Sequence, residues 1–285
     1  MNKKSPYAQS SIVLTTKHEK SRAIAPSFLN ILSAQVVECS LDTDQLGTFS
    51  GEIERKGSAL DCAKIKCELG LNLTGSLYGL SSEGSFGPHP YIPFIPCNHE
   101  ILYFIDRQRG FDIHLSLISE KTNYTMQSLD SIKSLDAFCK RALFPSHALI
   151  VSPDMSDNND YLVKGITTKD DLYTAFDNAM KHSQNGKVLV QTDMRAHMNP
   201  SRMMVIQELA EQLSQRLLSV CIKCNCPGWG KVDVERGLEC SWCGLETDLI
   251  KSEIYGCPQC DYQEKVIPFH KLRKADPGNC SYCNP

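Results

Sequence analysis

Short apolar runs alternate with longer segments in which apolar residues recur every three or four positions along the first 218 residues. The short runs have the length of buried strands, and the longer segments have the period of helices that lay one apolar face against a sheet. Strands are predicted at SIVLTT, AQVVEC, LYGLSS, HALIVS and KVLVQ, with helices between them. This alternation predicts an α/β fold, with a mixed sheet flanked by helices.

Local residue choices predict where several of these elements begin and end. SALDCAKIKCEL is predicted as a helix with Ser58 as its N-cap and Gly70 as its stop. EILYFIDRQRGFDIHLSLIS is predicted as a β-hairpin with Arg109 and Gly110 near its turn. The glycines and prolines of SEGSFGPHP predict a turn directly after the strand LYGLSS, and Glu83 lies in that turn.

A change in composition divides the chain. The segment NPSRMMVIQELAEQLSQRLL carries apolar residues at helical spacing, and nine of the fourteen cysteines follow it. We therefore predict an α/β domain over residues 1–218 and a small double zinc-ribbon domain over residues 219–285.

Charge and hydropathy exclude several classes of protein. The net charge of −3 provides no general attraction to nucleic acid or to an anionic membrane. No apolar run approaches the ~20 residues that a membrane helix needs, and the run at Ile12–Leu14 is too short for a signal peptide. We expect a cytoplasmic protein with no membrane partner. Since cytoplasmic thiols stay reduced, the cysteines are expected to bind metal rather than to form disulfides.

Eight cysteines form four CxxC pairs, and two such pairs make a four-thiolate metal site. Gaps of 15 and 19 residues separate neighbouring pairs, and both gaps fit the Cys-x2-Cys…Cys-x2-Cys zinc pattern. Sequential pairing needs no threading of the chain, although cross-braced pairing of the first pair with the third stays open. Cys226 is assigned as a spare thiol. The predicted ligands are Cys221, Cys224, Cys240, Cys243, Cys257, Cys260, Cys280 and Cys283.

Four thiolates leave no open position on the metal, so both sites are predicted to be structural. Zinc is favoured, although iron accepts the same ligands. From residue 220 to residue 285, eight Lys/Arg stand against nine Asp/Glu, and each metal with four thiolates adds two negative charges. This balance makes nucleic acid an unlikely partner and favours a protein partner.

Basic residues cluster in two loops that are predicted to join a strand to a helix. The first loop, TTKHEK, offers backbone N–H groups and lysines that suit a phosphate, and an N-capped helix with solvated lysines is the alternative. In the second loop, TDMRAHMNPSRM, capping of the next helix explains Asn199 but not its basic neighbours. The predicted phosphate-binding residues are Lys17, His18, Lys20, Arg195, His197 and Arg202.

Carboxylates in two further segments suggest a site for Mg²⁺, which takes one or two carboxylates together with phosphate oxygens and waters. Asp44 and Glu52 lie in DTDQLGTFSGEIER, for which a mobile acidic loop is the alternative. Glu83 follows a strand, and ligands of open α/β sheets bind at the carboxyl ends of strands. The predicted magnesium ligands are Asp44, Glu52 and Glu83, and Glu52 and Glu83 are the candidate catalytic residues.

The segments KHEKSRAIAP, DTDQLGTFSGEIER, SEGSFGPHP, FPSH and TDMRAHMNPSRM, together with the CxxC tail, resemble an uncharacterised bacterial family. That family is a domain of unknown function with a zinc-ribbon end, so the resemblance implies no activity.

The order of elements in the first domain is also distantly similar to the nucleotide pyrophosphatases of the inosine-triphosphatase and Maf type. The resemblance implies that Lys20 contacts a triphosphate, and it aligns Glu52 or Glu54 with an acidic residue before a helix that carries Ala63 and Lys66. SEGS resembles an acidic turn of those enzymes, and MRAHMNPSR is a loose counterpart of a Ser-His-Arg motif. The sequence departs from the family before the loop lysine, where the usual asparagine is missing, and in the extra segment Asp154–Lys187.

Two functions are expected from these features. The first is a Mg²⁺-dependent hydrolase of a nucleoside triphosphate or related phosphorylated nucleotide. The second is a non-enzymatic nucleotide-binding or adaptor protein whose zinc ribbons bind a protein partner.

Overall fold

The described residues form three sheets, and the first contains five strands in the order β2-β1-β3-β4-β5. The computed structural model describes residues 5–41, 57–154, 161–268 and 272–284. The strand β1 is parallel to β2 and β3, whereas β3, β4 and β5 are antiparallel, so the predicted mixed α/β fold is confirmed. The five strands are β1 (Ser11–Thr15), β2 (Gln35–Cys39), β3 (Tyr78–Pro88), β4 (Pro96–Asp106) and β5 (Phe111–Ser119).

Helices cover both faces of this sheet. One face carries α1 (Ser21–Ser27), the π-helical turn Phe28–Leu32 that continues it, and α5 (Pro200–Leu218). The other face carries α2 (Ala59–Thr74). Successive side chains of a strand point to opposite faces. Leu102 and Phe104 therefore enter the core beneath α5, whereas Ile101 and Tyr103 contact α2.

The helix α2 begins as predicted but ends later. Ser58 accepts a hydrogen bond from the N–H of Asp61 and completes a capping box, so the predicted N-cap is confirmed. The predicted stop at Gly70 is wrong, because the helix continues to Thr74 and ends at Gly75, which has φ 67°. A Cβ at Gly70 would overlap Oγ1 of Thr15, so this glycine allows α2 to lie close to β1.

The strand β3 is longer than predicted, and this changes the position of Glu83. Its antiparallel pairing with β4 extends to Pro88, so Glu83 lies within a strand rather than in a turn. The neighbouring strand β1 stops at Thr15, opposite Ser81. From Ser82 onward β3 extends past the end of β1, and we call this edge of the sheet, outside the carboxyl end of β1, the crevice.

A second sheet lies within the first 218 residues, whereas the sequence indicated a single sheet. It contains β6 (Met126–Leu129), β9 (Val188–Thr192), β7 (Leu149–Pro153) and β8 (Val163–Ile166), in that order. The helices α3 (Ile132–Arg141) and α4 (Lys169–His182) bury Phe138 and Phe176 against it. These two apolar faces form a core of their own, which explains why the strands divide into two sheets.

The cysteine-rich end is built on a third, antiparallel sheet with the order β10-β11-β12. Its strands are β10 (Gly230–Arg236), β11 (Ile250–Gly256) and β12 (Gln263–Val266). We call residues 219–284 the cysteine module. It contacts the first sheet, because Nε2 of Gln259 donates to the carbonyl oxygen of Arg109 at 2.7 Å.

Two short 3₁₀ helices, Ala196–Met198 and Pro277–Asn279, complete the described elements. Among the helices in the described part of the chain, none combines the length and the apolar character that crossing a bilayer would require.

Candidate functional site

The eight paired cysteines form two interleaved clusters. In each cluster the four sulfur atoms lie within 4.8 Å of one another. The sequential pairing that the sequence favoured is wrong, because the first CxxC pair joins the third and the second joins the fourth. The first cluster contains Cys221, Cys224, Cys257 and Cys260, and the second contains Cys240, Cys243, Cys280 and Cys283.

The antiparallel hairpin of β10 and β11 explains this pairing. Gly230, at the start of β10, pairs with Gly256, at the end of β11, so the cysteines that precede β10 meet those that follow β11. The second CxxC pair follows β10 and lies at the opposite end of the hairpin. There the returning chain forms a β-bridge between Cys240 and Ala275. CxxC spacing alone does not encode this register.

The sulfur positions suit one metal ion in each cluster. A tetrahedral thiolate shell with metal–sulfur bonds of about 2.3 Å places its sulfur atoms about 3.8 Å apart. The Sγ–Sγ distances are 3.8 Å for Cys221–Cys260 and 3.7 Å for Cys243–Cys280. They are 3.5 Å for Cys224–Cys257 and 3.9 Å for Cys240–Cys283.

Backbone N–H groups favour the thiolate form that metal binding requires. The N–H of Trp242 donates to Sγ of Cys240 at 3.5 Å. Hydrogen bonds from the N–H groups of Cys243 and Trp242 lower the pKa of the Cys240 thiol to about 7. Cys226 differs, because it lies in the main core outside both clusters and burial raises the pKa of its thiol to about 12. These clusters have the donor set and the closed geometry of structural metal sites.

Lys20 forms the floor of the crevice at the end of β1. Its side chain is buried, and Nζ donates to the carbonyl oxygen of Ser82 at 3.0 Å and to its Oγ at 3.1 Å. Burial and, next, the charge of Arg202 lower the pKa of Lys20 to about 7. A buried amine that titrates near neutral pH is typical of binding and catalytic sites rather than of surface lysines.

Glu83 lies beside Lys20 but faces the opposite side of the sheet. Its carboxylate forms an ion pair with Nζ of Lys66 from α2, and both side chains are nearly buried. The charges of Glu83 and Lys66 both act on Lys20. The crevice therefore joins groups from β3 and α2 to the lysine that precedes α1.

Arg202 and Glu100 form a fully buried ion pair behind Lys20. Both side chains are 0% exposed, and Nε of Arg202 donates to Oε1 of Glu100 at 2.6 Å. The guanidinium also donates to the carbonyl oxygen of Met194. Gly84 lies opposite Glu100 in the sheet, and a Cβ there would lie 2.5 Å from Oε1 of Glu100 and closer still to Arg202. Glycine at position 84 therefore makes room for the ion pair.

Two stacked imidazoles lie at the rim of the crevice. The rings of His18 and His197 are 5.2 Å apart, with 26° between their planes. Burial, followed by the charges of Lys20 and His197, lowers the pKa of His18 to about 3. Burial and the charge of Arg195 also lower the pKa of His197. Both rings are therefore uncharged at neutral pH and can donate hydrogen bonds without adding charge.

The remaining predicted residues are placed differently. Arg195 is half-buried and contacts Asp193 through Nε and Nη2, the latter at 2.6 Å, while its charge acts on both rim histidines. Lys17 is exposed in the loop between β1 and α1. Asp44 and Glu52 lie outside the described residues.

The sequence predictions missed Glu100 and Ser82. Glu100 begins the apolar run EILYFI, where the alternation of the strand places it on a buried face. A carboxylate at such a position is the pattern that would have identified it.

Thiol labelling tests the interleaved pairing. In a Cys221→Ser variant, we expect Cys257 and Cys260 to become reactive while Cys280 and Cys283 stay protected, because only the first cluster loses a ligand. Mass spectrometry after alkylation of metal-loaded protein measures this pattern. Exposure of Cys240 and Cys243 instead would show sequential pairing.

Substitution of Gly84 tests the packing around the buried ion pair. Gly84→Ala should lower the free energy of unfolding by about 1–3 kcal/mol, because its Cβ must displace Glu100 or Arg202. Gly87→Ala is the matched control, since a Cβ there meets no atom within 4 Å in the same strand. Equal urea denaturation midpoints for the two variants would contradict this packing.

The buried amine of Lys20 predicts a dependence of stability on pH. Its folded pKa of about 7 lies below the ~10.4 of an unfolded lysine, so the unfolded chain binds more protons between these values. The free energy of unfolding should therefore rise with pH across this range, by up to ~1.4 kcal/mol per pH unit.

Lys20→Met should remove the contribution of Lys20 to the slope of unfolding free energy against pH. Lys64→Met, at an exposed position of α2, should retain that contribution. Urea denaturation at pH 7.5 and pH 9.5 gives the slopes, and the thiols contribute equally to all three proteins. Identical slopes for wild type and Lys20→Met would show that the amine is not destabilised by burial.

Residues 66–285 match a family described as Domain of unknown function (DUF6671), and they make up most of the chain. The match includes both cysteine clusters and the crevice residues Glu83, Glu100 and Arg202, whereas Lys20 lies before it. Among curated proteins, no match is found. The chain therefore belongs to the DUF6671 family, a family of unknown function, and it carries two four-cysteine clusters suited to binding metal.

Proposed function

We propose that the crevice at the end of β1 binds and hydrolyses a nucleoside triphosphate or a related phosphorylated nucleotide, with Mg²⁺ as cofactor. One observation carries the proposal: Lys20 is buried where β1 stops, next to Glu83 and below His18 and His197. Ligands of open α/β sheets bind outside the carboxyl ends of strands, and β1 ends here.

The hydrogen-bond donors of the crevice would suit an anion. Lys20 loses much of its charge in the free protein because burial lowers its pKa to about 7. A bound phosphate would restore that charge, so binding should take up protons near neutral pH. The exposed part of Arg195 and the uncharged rings of His18 and His197 supply further donors at the rim.

In this proposal, Arg202 does not contact the phosphate. Its guanidinium is closed to solvent and engaged by Glu100 and by the carbonyl oxygen of Met194. A phosphate would have to displace Glu100 to reach it. Arg202 therefore acts as a positioning residue, and phosphate contact falls to Lys20, Arg195, Lys17 and the two histidines.

Glu83 is the magnesium ligand that we propose among the described residues. Mg²⁺ is usually held by one or two carboxylates with phosphate oxygens and waters, and it polarises the phosphate and activates water when bound. The ion pair with Lys66 holds Glu83 on the α2 side of β3, so a magnesium ion would have to share or replace that contact. Asp44 and Glu52 are the proposed further ligands, and Glu83 or Glu52 would orient the attacking water.

A nucleotide panel tests the hydrolase. Metal-loaded protein with Mg²⁺ should release pyrophosphate or phosphate from at least one nucleoside triphosphate, and Glu83→Gln should lower the rate at least ~100-fold. Glu68→Gln, at an exposed position of α2, is the matched control and should retain the wild-type rate. No release across the panel from folded protein, or an active Glu83→Gln variant, would contradict the proposal.

We infer that zinc occupies both cysteine clusters. Zinc prefers tetrahedral four-thiolate sites, and the sulfur spacing of both clusters fits that shell. Iron bound by the same ligands would colour the purified protein. Elemental analysis distinguishes bound iron from bound zinc. A reducing compartment keeps cysteines free of disulfides, and cysteines that form no disulfide among the described residues therefore support a cytoplasmic location.

A non-enzymatic adaptor is the second candidate, and exposed apolar residues on the cysteine module favour it. Ile222, Trp242 and Tyr282 are 70%, 78% and 72% exposed, and each lies within a CxxC pair. Ligand-dependent thermal stabilisation without turnover, together with a partner that co-purifies, would support the adaptor over the hydrolase.

A further inference from the structure

A groove of about 660 Å³ lies between the second half of α5 and the cysteine module. We call it the α5 groove, and it is lined by Glu208, Glu211, Arg216, Trp229 and Tyr255, among other residues. The crevice uses Arg202 in the first turn of α5, whereas the groove begins at Glu208, six residues or about 9 Å further along the helix, and shares no lining residue with the crevice. The groove is thus a second site, distinct from the proposed nucleotide crevice.

We propose that the α5 groove binds a basic segment of a partner protein, with an arginine or lysine side chain lying against Trp229. This proposal does not depend on the hydrolase function. It rests on the aromatic wall of the groove, on its acidic wall, and on the charge of the cysteine module.

The aromatic wall is a stack that already accommodates one cation. Trp229 stacks on Tyr262 with 5.4 Å between ring centroids and lies 6.5 Å from Tyr255. Nζ of Lys223 lies 5.3 Å from the ring centroid of Tyr262. Tryptophan is the strongest aromatic partner of a cation, and Trp229 is half-buried at the groove. A second cation can therefore be accommodated at the groove end of the stack.

The acidic wall comes from α5. Glu208 and Glu211 are exposed, and their three-residue spacing places them on the same side of the helix. Within the described part of the chain, neither forms an ion pair, so their charges remain available to a partner.

The basic residues of the groove are more occupied than the acidic ones. Lys231 forms an ion pair with Glu253, with 2.8 Å between Nζ and Oε1. Arg216 is partly buried, and its Nε donates to the carbonyl oxygen of Gly228 at 3.1 Å. Two carboxylates thus oppose one guanidinium in the groove. The cysteine module carries a net negative charge that two four-thiolate metal sites would increase, so its field also favours a basic partner.

Fluorescence of Trp229 provides a direct test in the full-length, metal-loaded protein. The chain has two tryptophans, and Trp242→Phe leaves Trp229 as the only one, so selective excitation of tryptophan reports on Trp229. The probe is a heptapeptide of alternating glycine and arginine with blocked ends, and the comparison peptide carries glutamate in place of arginine. We expect a saturable change in Trp229 emission with the arginine peptide, weakened by added salt.

Glu208→Gln/Glu211→Gln in the same background should weaken binding of the arginine peptide about tenfold, because two exposed charge contacts are lost. Glu68→Gln/Glu120→Gln is the matched control, since it removes two exposed charges elsewhere and should bind like the parent. Circular dichroism verifies that both variants are folded, and nucleotide hydrolysis should be unchanged in both.

Three outcomes would overturn the proposal. They are the absence of a saturable change, equal affinity in the groove variant and the parent, and tighter binding of the glutamate peptide. The last outcome would assign the groove to an acidic occupant held by Arg216.

Discussion

The ion pair between Arg202 and Glu100 joins the first turn of α5 to the first sheet, and neither side chain reaches solvent. Removing either partner of such a pair leaves an uncompensated charge in the core, at about 3–5 kcal/mol. The same guanidinium holds the carbonyl oxygen of Met194, so it also fixes the loop that presents Arg195 and His197. Because α5 then runs to the cysteine module, this one contact determines the position of both the crevice and the α5 groove.

Lys20 shows how stability and binding oppose each other at the crevice. Burying its amine disfavours the charged form and lowers the pKa of Lys20 to about 7, so the free protein bears the cost of burying this amine beneath the rim. A bound anion would relieve that penalty and stabilise the folded state by mass action. Among the described residues, Nζ of Lys20 donates to the carbonyl oxygen and the hydroxyl of Ser82, and a bound anion would add a charged partner.

Local physics made several elements predictable from the sequence. Ser58 and Asn199 cap their helices because their short polar side chains accept backbone N–H groups, and the structure confirms the Ser58 cap and the hairpin turn near Gly110. The alternation of the strand β4 could also have placed Glu100 on a buried face, although its ion-pair partner Arg202 could not be predicted. Arg202 lies 102 residues away, and a single sequence contains no local record of that contact.

Predictions failed where long-range packing decides the outcome. Gly70 has the residue type of a helix stop, but its role is set by the approach of Thr15 from another element. Glu83 follows a strand-like run and precedes turn residues, but pairing with β4 keeps the chain extended to Pro88. Both cysteine pairings satisfy the same CxxC spacing, and only the register of β10 against β11 separates them.

The interleaved clusters also set the order in which the chain can mature on the ribosome. A sequential arrangement would let the first cluster close once Cys243 had emerged. Here that cluster waits for Cys260, and the second waits for Cys283. Domains generally fold from the N-terminus during synthesis, so the crevice can form while all eight thiols are still without their full ligand sets. Metal binding by both clusters would therefore follow the folding of the crevice, and closure of the first cluster would complete the wall that carries Trp229.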